Sequence, residues 1–270
     1  IPCFDEALRL QSGDPLTLYN HASLLSHLAR YEEARRDVEA LLALDPDYPL
    51  ARGLLMHVRL HVCDWSGLTE ARKEITAALQ RGKRVIYPFG HLAISDSPAE
   101  QLRCASLSAR DSYPASLTPL WRGERYHHEK IRIAYISGDF YAHAIPFLMA
   151  GVFDHHDRDR FETFAISYAP DDRSEMRTRL EKGFTRFLDV REASDASIAA
   201  MLHEYKIDIA VDIKGYTGGA RPGILACRPA PIQVQYLGYP GTMGADYIDY
   251  LIADPVVIPE AHRAFYSEHI

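Results

Sequence analysis

The chain has 270 residues, 47% of them hydrophobic, 25% charged and 10% aromatic, with a formal net charge of −7. This composition excludes a disordered or fibrous protein and leaves room for one to three globular domains. An acidic chain without a Lys/Arg block is a poor partner for phosphate backbones, so nucleic-acid binding is not expected.

Residues 1–80 read as helical repeats. In YNHASLLSHLARYEEARRDVEALLALDP, Leu24, Leu25 and Leu28 and then Ala34, Val38 and Leu41 recur at helical spacing. Residues 29–31 make a short turn, and Asp45-Pro46 closes the second helix. Two short helices with one apolar face each need stacked neighbours to bury it. Here the residues resemble a tetratricopeptide repeat, with Ala22, Leu25, Ala34, Val38, Leu41 and Pro46 at its small or apolar positions. FDEALRL before it reads as the tail of an earlier repeat and DWSGLTEARKEI after it as a degenerate next one, so further repeats are expected upstream.

Residues 81–130 read as a linker with connecting helices, one of them opened by Ser97-Pro98 as cap and first residue. The composition then changes. IRIAYIS (131–137), FETFAIS (161–167), IDIAVDI (207–213), IQVQYLG (232–238) and YIDYLIAD (247–254) are β-branched or aromatic runs. Between them FLMAGVFDHH, SEMRTRLEKGF and DASIAAMLHEY have helical patterns. Five strands alternating with helices imply a parallel sheet, wound by the right-handed crossover rule as a Rossmann-like lobe over 131–270.

Ligands of such a sheet sit beyond the carboxyl ends of its strands. After the first run, SGDFYAH lacks G-x-G-x-x-G, so a dinucleotide is not supported. It does place Asp139 and His143 at i and i+4, both able to face one pocket if a helix begins between them. Alternatively, Asp139 caps the next helix and His143 is a surface residue. KGYTGGARP (214–222) offers Gly218 and Gly219 for close backbone approach and Arg221 for an anion, or else an ordinary tight turn. LGYPGTMG (237–244) is a glycine-rich loop suited to backbone contact with a phosphate or sugar, or a structural turn. His155-His156 and Asp171-Asp172 suit helix ends and turns better than a metal.

The remaining signals concern location. No apolar run approaches the roughly 18 residues of a membrane span. Cys3, Cys63, Cys104 and Cys227 form no CxxC pair, which argues against a thiolate zinc site and for a reducing compartment. A cytoplasmic protein without membrane partners is expected.

Taken together, SGDFYAHAIPFLMAG, FETFAISYAPDD, FYSE and above all RPAPIQVQYLGYPGTMGA resemble the nucleocytoplasmic O-GlcNAc transferase family, its bacterial members in particular. YPFGHLAISDSPAEQL is similar to the segment that joins repeats to catalytic part in that family. The resemblance covers about residues 81–270. It implies the repeat end and first lobe of a GT-B glycosyltransferase, inverting and needing no metal or other cofactor. N-acetylglucosamine would move from UDP-GlcNAc to Ser or Thr hydroxyls of proteins. By the same resemblance, Asp139 and His143 belong to the catalytic centre, Leu237 and Gly238 lie against the sugar, and Gly219 lies near it. Arg221, Tyr239, Pro240, Gly241, Thr242 and Tyr87 are carried over as further substrate-binding positions. Ile145 is carried over as a substrate-binding position too, although the family often has a small or hydroxylated residue there and a Thr contact to the donor would be lost.

The partners implied are a UDP-sugar donor, a protein or peptide acceptor held in the repeat groove, and a C-terminal lobe that holds uridine and diphosphate. Two rival readings are a repeat adaptor with a degenerate transferase lobe and an N-glucosyltransferase acting on Asn with UDP-glucose; the repeats argue against the second.

Overall fold

The computed structural model describes residues 1–270, and the chain divides into two compact units, Ile1–Ser108 and Ala109–Ile270. The first unit is helical throughout. Its elements are α1 (Pro2–Leu10), α2 (Pro15–His27), α3 (Tyr31–Leu44), α4 (Ala51–His61), α5 (Leu68–Gln80), α6 (Pro88–Leu92) and α7 (Pro98–Ser112), the last of which crosses the boundary.

Helix α2 starts where it does because the Asp14 carboxylate accepts the Thr17 N–H at 2.8 Å and Pro15 takes the first helical position. It packs on α3, and α3 packs on α4. Leu18, Ala22, Val38, Leu41 and Ala51 form one buried cluster between them, with Leu25, Ala34 and Val58 beside it. Alanines at Ala22 and Ala34 let the helix backbones come close, while each fully buried leucine or valine contributes about 1.5–3 kcal/mol. Residues Val85, Ile86, Ile94, Cys104 and Leu107 join Met56, Ile75 and Leu79 in a further cluster of this unit.

The second unit is an α/β lobe with six parallel strands: β1 (Ile131–Ser137), β2 (Phe161–Ser167), β3 (Arg186–Asp189), β4 (Ile209–Asp212), β5 (Ile232–Tyr236) and β6 (Tyr250–Ile252). Their spatial order is β3-β2-β1-β4-β5-β6, that of Rossmann sheets. The helices are α8 (Ala144–Asp154), α9 (Glu175–Gly183), α10 (Asp195–Glu204) and α11 (Gly223–Ala226), followed by the 3-10 turn η1 (Glu260–Phe265).

Five strands are expected from the sequence and six are found. The extra one, RFLD, is a four-residue edge strand whose ends are exposed, so it carries no long apolar run to announce it. The expected strand at 247–254 contracts to Tyr250–Ile252. Under one face of β1, Phe140, Phe153 and Phe184 pack edge to face or tilted at centroid separations of 4.5–6.1 Å. Such aromatic pairs add about 0.5–1.5 kcal/mol each beyond their buried area. They anchor the loop that follows β1 to the core, because Phe140 belongs to that loop.

Candidate active site

In a 3-2-1-4-5-6 sheet the chain leaves β1 toward β2 on one side and returns through β4 on the other. Sheets of this order place their ligand crevice beyond the strand ends where the loops after β1 and β4 diverge. The sequence puts charge there. Asp139 follows β1, Asp212 ends β4 and Lys214 comes two residues later.

Lys214 Nζ donates to Asp139 Oδ1 at 2.7 Å, and each of the two side chains is less than a tenth exposed. Beneath the pair, Asp212 accepts the Lys214 backbone N–H at 2.8 Å and the Gly215 N–H at 3.1 Å. Burial pushes the Asp212 carboxyl above its ordinary value; the two backbone donors and the Lys214 ammonium oppose this, while the Asp139 carboxylate adds to it. From the end of β2 comes Tyr168, its phenol raised well above the usual value by burial first and by Asp212 and Asp139 next. Gly138 makes this contact feasible: a Cβ there would lie 2.6 Å from the Tyr168 ring and 3.3 Å from Lys214 Cε.

Other elements brace the β1–α8 loop. Asp139 N–H donates to Ser137 Oγ at 3.0 Å. The Ala142 N–H donates to Asp172 Oδ2 at 2.9 Å, a bond that holds the Asp172 carboxyl below the usual range. From α9, buried Arg177 donates through Nη1 to the Phe140 carbonyl at 3.1 Å and to Ser167 Oγ at 3.2 Å. Its guanidinium also lies 4.2 Å from the Phe187 ring centroid.

His143 is half-buried and caps α8, its Nδ1 accepting the Ile145 N–H at 3.4 Å. Two expectations need correction here. The helix begins after His143, not between Asp139 and His143, so no helical face brings the two side chains together. Asp139 is not the cap either: His143 is, and the Asp139 carboxylate binds Lys214 beyond the strand ends. Ile145 sits in the first turn of α8 and packs against the lobe's core.

In the loop after β4, Gly215 has φ +57°, and a Cβ on it would lie 2.4 Å from Tyr239 Cβ. Gly218 and Gly219 are exposed with open space around them, Gly219 at φ +71°. Arg221 is tied down: Nε donates to Asp195 Oδ1 at 2.6 Å, Nη2 donates to the Ala193 carbonyl at 2.6 Å, and Tyr168 lies under it. The sequence offers it for an anion; in this fold a carboxylate of the protein already holds it.

The loop after β5 divides its residues between two tasks. Leu237, at φ +64°, and Pro240 face solvent. Gly238 packs so closely on the loop after β4 that a Cβ would meet the Ile213 carbonyl. Tyr239 and Thr242 point inward, 3% and 2% exposed. Thr242 Oγ1 donates to Glu268 Oε2 at 2.7 Å, and the Met243 N–H donates to Oε1 of the same carboxylate at 2.6 Å. Gly241 leaves room for the Tyr239 ring, 2.8 Å from where its Cβ would be. Tyr239, Gly241 and Thr242 thus shape the loop, whereas Leu237 and Pro240 present it. Tyr87 belongs to the helical unit, exposed at the N-terminus of α6.

Sequence reasoning passed over Lys214 and Asp212. The signal was present: Asp212 and Lys214 follow the apolar stretch IAV in IDIAVDIKG, at the end of a strand buried on both faces. Chemically, the crevice offers a fixed carboxylate, an ammonium, an imidazole at its edge and a loop with exposed glycines. No three His, Cys, Asp or Glu side chains gather in a way that would hold a metal.

Residues 119–270 match Glycosyl transferase family 41. The chain is 34% identical over 234 residues to the probable UDP-N-acetylglucosamine–peptide N-acetylglucosaminyltransferase SEC of Arabidopsis thaliana, covering 80% of this chain and 24% of that protein. It is 32% identical over 216 residues to the UDP-N-acetylglucosamine–peptide N-acetylglucosaminyltransferase of Caenorhabditis elegans, covering 73% of this chain and 18% of that one. Among solved structures, a point variant of the Thermobaculum terrenum O-GlcNAc transferase superposes with a TM-score of 0.70 at 25% identity, over 98% of this chain and 52% of that chain. The chain therefore spans a quarter or less of these two curated relatives and about half of the solved one.

Proposed function

From a chain that belongs to Glycosyl transferase family 41, we propose the repeat end and first lobe of a transferase that moves N-acetylglucosamine from UDP-GlcNAc to protein Ser or Thr hydroxyls. The observation that carries this reading is the buried Asp139–Lys214 pair beyond the ends of β1 and β4, with Gly238 of the glycine-rich loop packed on the Ile213–Lys214 backbone.

In this reading the acceptor hydroxyl attacks the anomeric carbon on the face opposite the leaving UDP, through an oxocarbenium-like state, so the configuration inverts. A hydroxyl at neutral pH needs its proton removed as the bond forms. With Nδ1 accepting the Ile145 N–H, a neutral His143 ring carries its proton on Nε2 and so donates from its outer edge. Asp139 Oδ2, directly or through a water, is then the better placed acceptor for the hydroxyl proton. Leu237, Gly238 and Gly219 lie against the sugar. A second lobe supplies the uridine site and the charge that neutralises the departing diphosphate, so no metal is needed. The stacked helices of the first unit hold the acceptor polypeptide, and the four free thiols suit a cytoplasmic setting.

The test is a transfer assay on the transferase that contains this chain, with UDP-GlcNAc, UDP-glucose and UDP-GalNAc, with and without EDTA. Transfer from UDP-GlcNAc to Ser or Thr with β-configured product, unchanged by EDTA, is the expected result. Transfer to Asn from UDP-glucose, or none from any donor, overturns the reading.

A further inference from the structure

We propose that Lys214 is a positioning residue for glycosyl transfer: by binding Oδ1 of Asp139 it holds that carboxylate in place and presents Oδ2 as the acceptor in the crevice. The inference rests on the reading above and goes one residue further.

Three observations converge on it. The ammonium-to-carboxylate distance is 2.7 Å and neither side chain is more than 8% exposed, so the pair is desolvated and geometrically defined. Lys214 is itself fixed at its base, because its N–H and that of Gly215 both bind Asp212. Its side chain passes Gly138, where even a methyl group would crowd Cε at 3.3 Å. A lysine anchored at both ends sets the place of the carboxylate it holds.

The groups around Asp139 explain why a cation is needed. Asp212 at the end of β4 is a second buried carboxylate, and Tyr168 at the end of β2 is a phenol whose deprotonation both aspartates oppose. Arg177 from α9 is spent on the Phe140 carbonyl, Ser167 and Glu181, and Arg221 on Asp195. His143, on the same loop, caps α8. Lys214 is thus the cation that meets the Asp139 carboxylate directly. Without it, two buried carboxylates share one site, and one of them takes up a proton more readily. A protonated Asp139 no longer accepts the hydroxyl proton.

The experiment compares the wild-type transferase with Lys214→Gln, which is one bond shorter, keeps a donor and removes the charge. Expected are a fall in kcat of at least tenfold, a donor KM within about threefold of wild type, and an acidic limb of the pH–rate profile moved to higher pH. An active wild type with Lys214→Gln turning over within threefold on an unmoved profile overturns the inference. An inactive wild type instead fails the transferase reading itself, so the two failures are distinct. If Lys214→Gln does not fold, Lys214→Arg decides: the charge is kept and displaced, so kcat falls while the acidic limb stays. Wild-type turnover in Lys214→Arg, or a moved limb, counts against the proposal.

Discussion

The carbonyl oxygen of Ile213 occupies the space where a side chain on Gly238 would begin: a Cβ built there falls 2.1 Å from it. The carbonyl carbon of Ile213 and Cα of Lys214 would follow at 2.6 and 2.9 Å. All three are backbone atoms at the end of β4, so no side chain can swing away. Gly238→Ala should therefore separate the two loops and cost at least about 2 kcal/mol. Gly219→Ala is the control: its positive φ costs about 1 kcal/mol, but nothing stands in the way. Urea denaturation of both variants checks the order; equal losses would show that the two loops do not depend on this contact.

This contact also marks where sequence reading stops. The strands that carry the site announce themselves as apolar β-branched runs, because a parallel sheet buries both faces. The helices of the first unit do so through Ala22, Ala34 and Val38, since helix contacts recur at fixed spacing. RFLD stays silent because an edge strand of four residues has too little apolar pattern. Asp139 is visible as a charge after a strand, yet its partner is 75 residues away and pairs with it only through the strand order. Nothing in the local sequence marks Tyr239 and Thr242 as inward and Leu237 and Pro240 as outward. Only the packing of Glu268 and Gly215 against them turns them inward.

The proposed reacting centre is tested by Asp139→Asn and His143→Ala in the transfer assay proposed above. Each should cut turnover at saturating donor and acceptor at least about a hundredfold, the usual cost of losing a proton-transfer group. For His143→Ala the α8 cap is lost as well, so a loss of about 1 kcal/mol in stability should accompany it. Near-normal turnover in both variants would remove these residues from the chemistry.

Arg177 should matter to the loop and not only to α9. Replacing it by Met leaves the Phe140 carbonyl and Ser167 Oγ without their buried donor. A loss of roughly 2–4 kcal/mol is expected. Hydrogen exchange should rise at Asp139 and Tyr141 before it rises in β5. Uniform exchange across the lobe would mean that Arg177 supports the lobe as a whole.

Acid should weaken the protein from below neutral pH. His57, His91 and His156 are each held below the ordinary imidazole value by burial first, with His61 and His27 adding to it for His57. In the unfolded chain they take up protons near pH 6.5; in the folded chain they do so only at lower pH. Their contribution is thus complete above about pH 6.5 and is lost as pH falls below it. His91 is the sharpest case, 1% exposed with neither ring nitrogen hydrogen-bonded. It contributes at most about 1.4 kcal/mol per pH unit. His91→Phe should flatten the Tm profile between pH 7 and 5 and raise stability by about 1 kcal/mol. A profile as steep as wild type would assign the acid sensitivity elsewhere.

The strand order has a consequence for the birth of the chain. Arg132 on β1 and Asp208, the residue before β4, are 76 residues apart, although their backbones meet in the sheet. At a synthesis rate of roughly 5–20 residues per second, β1 leaves the ribosome about 4–15 s before its second neighbour exists. Pairing with β2 covers one side early; the other side of IRIAYIS waits, apolar and β-branched, open to strands of other chains. Yield of native protein should therefore follow translation speed and chain concentration more closely than final stability, and soluble expression should rise when both are lowered.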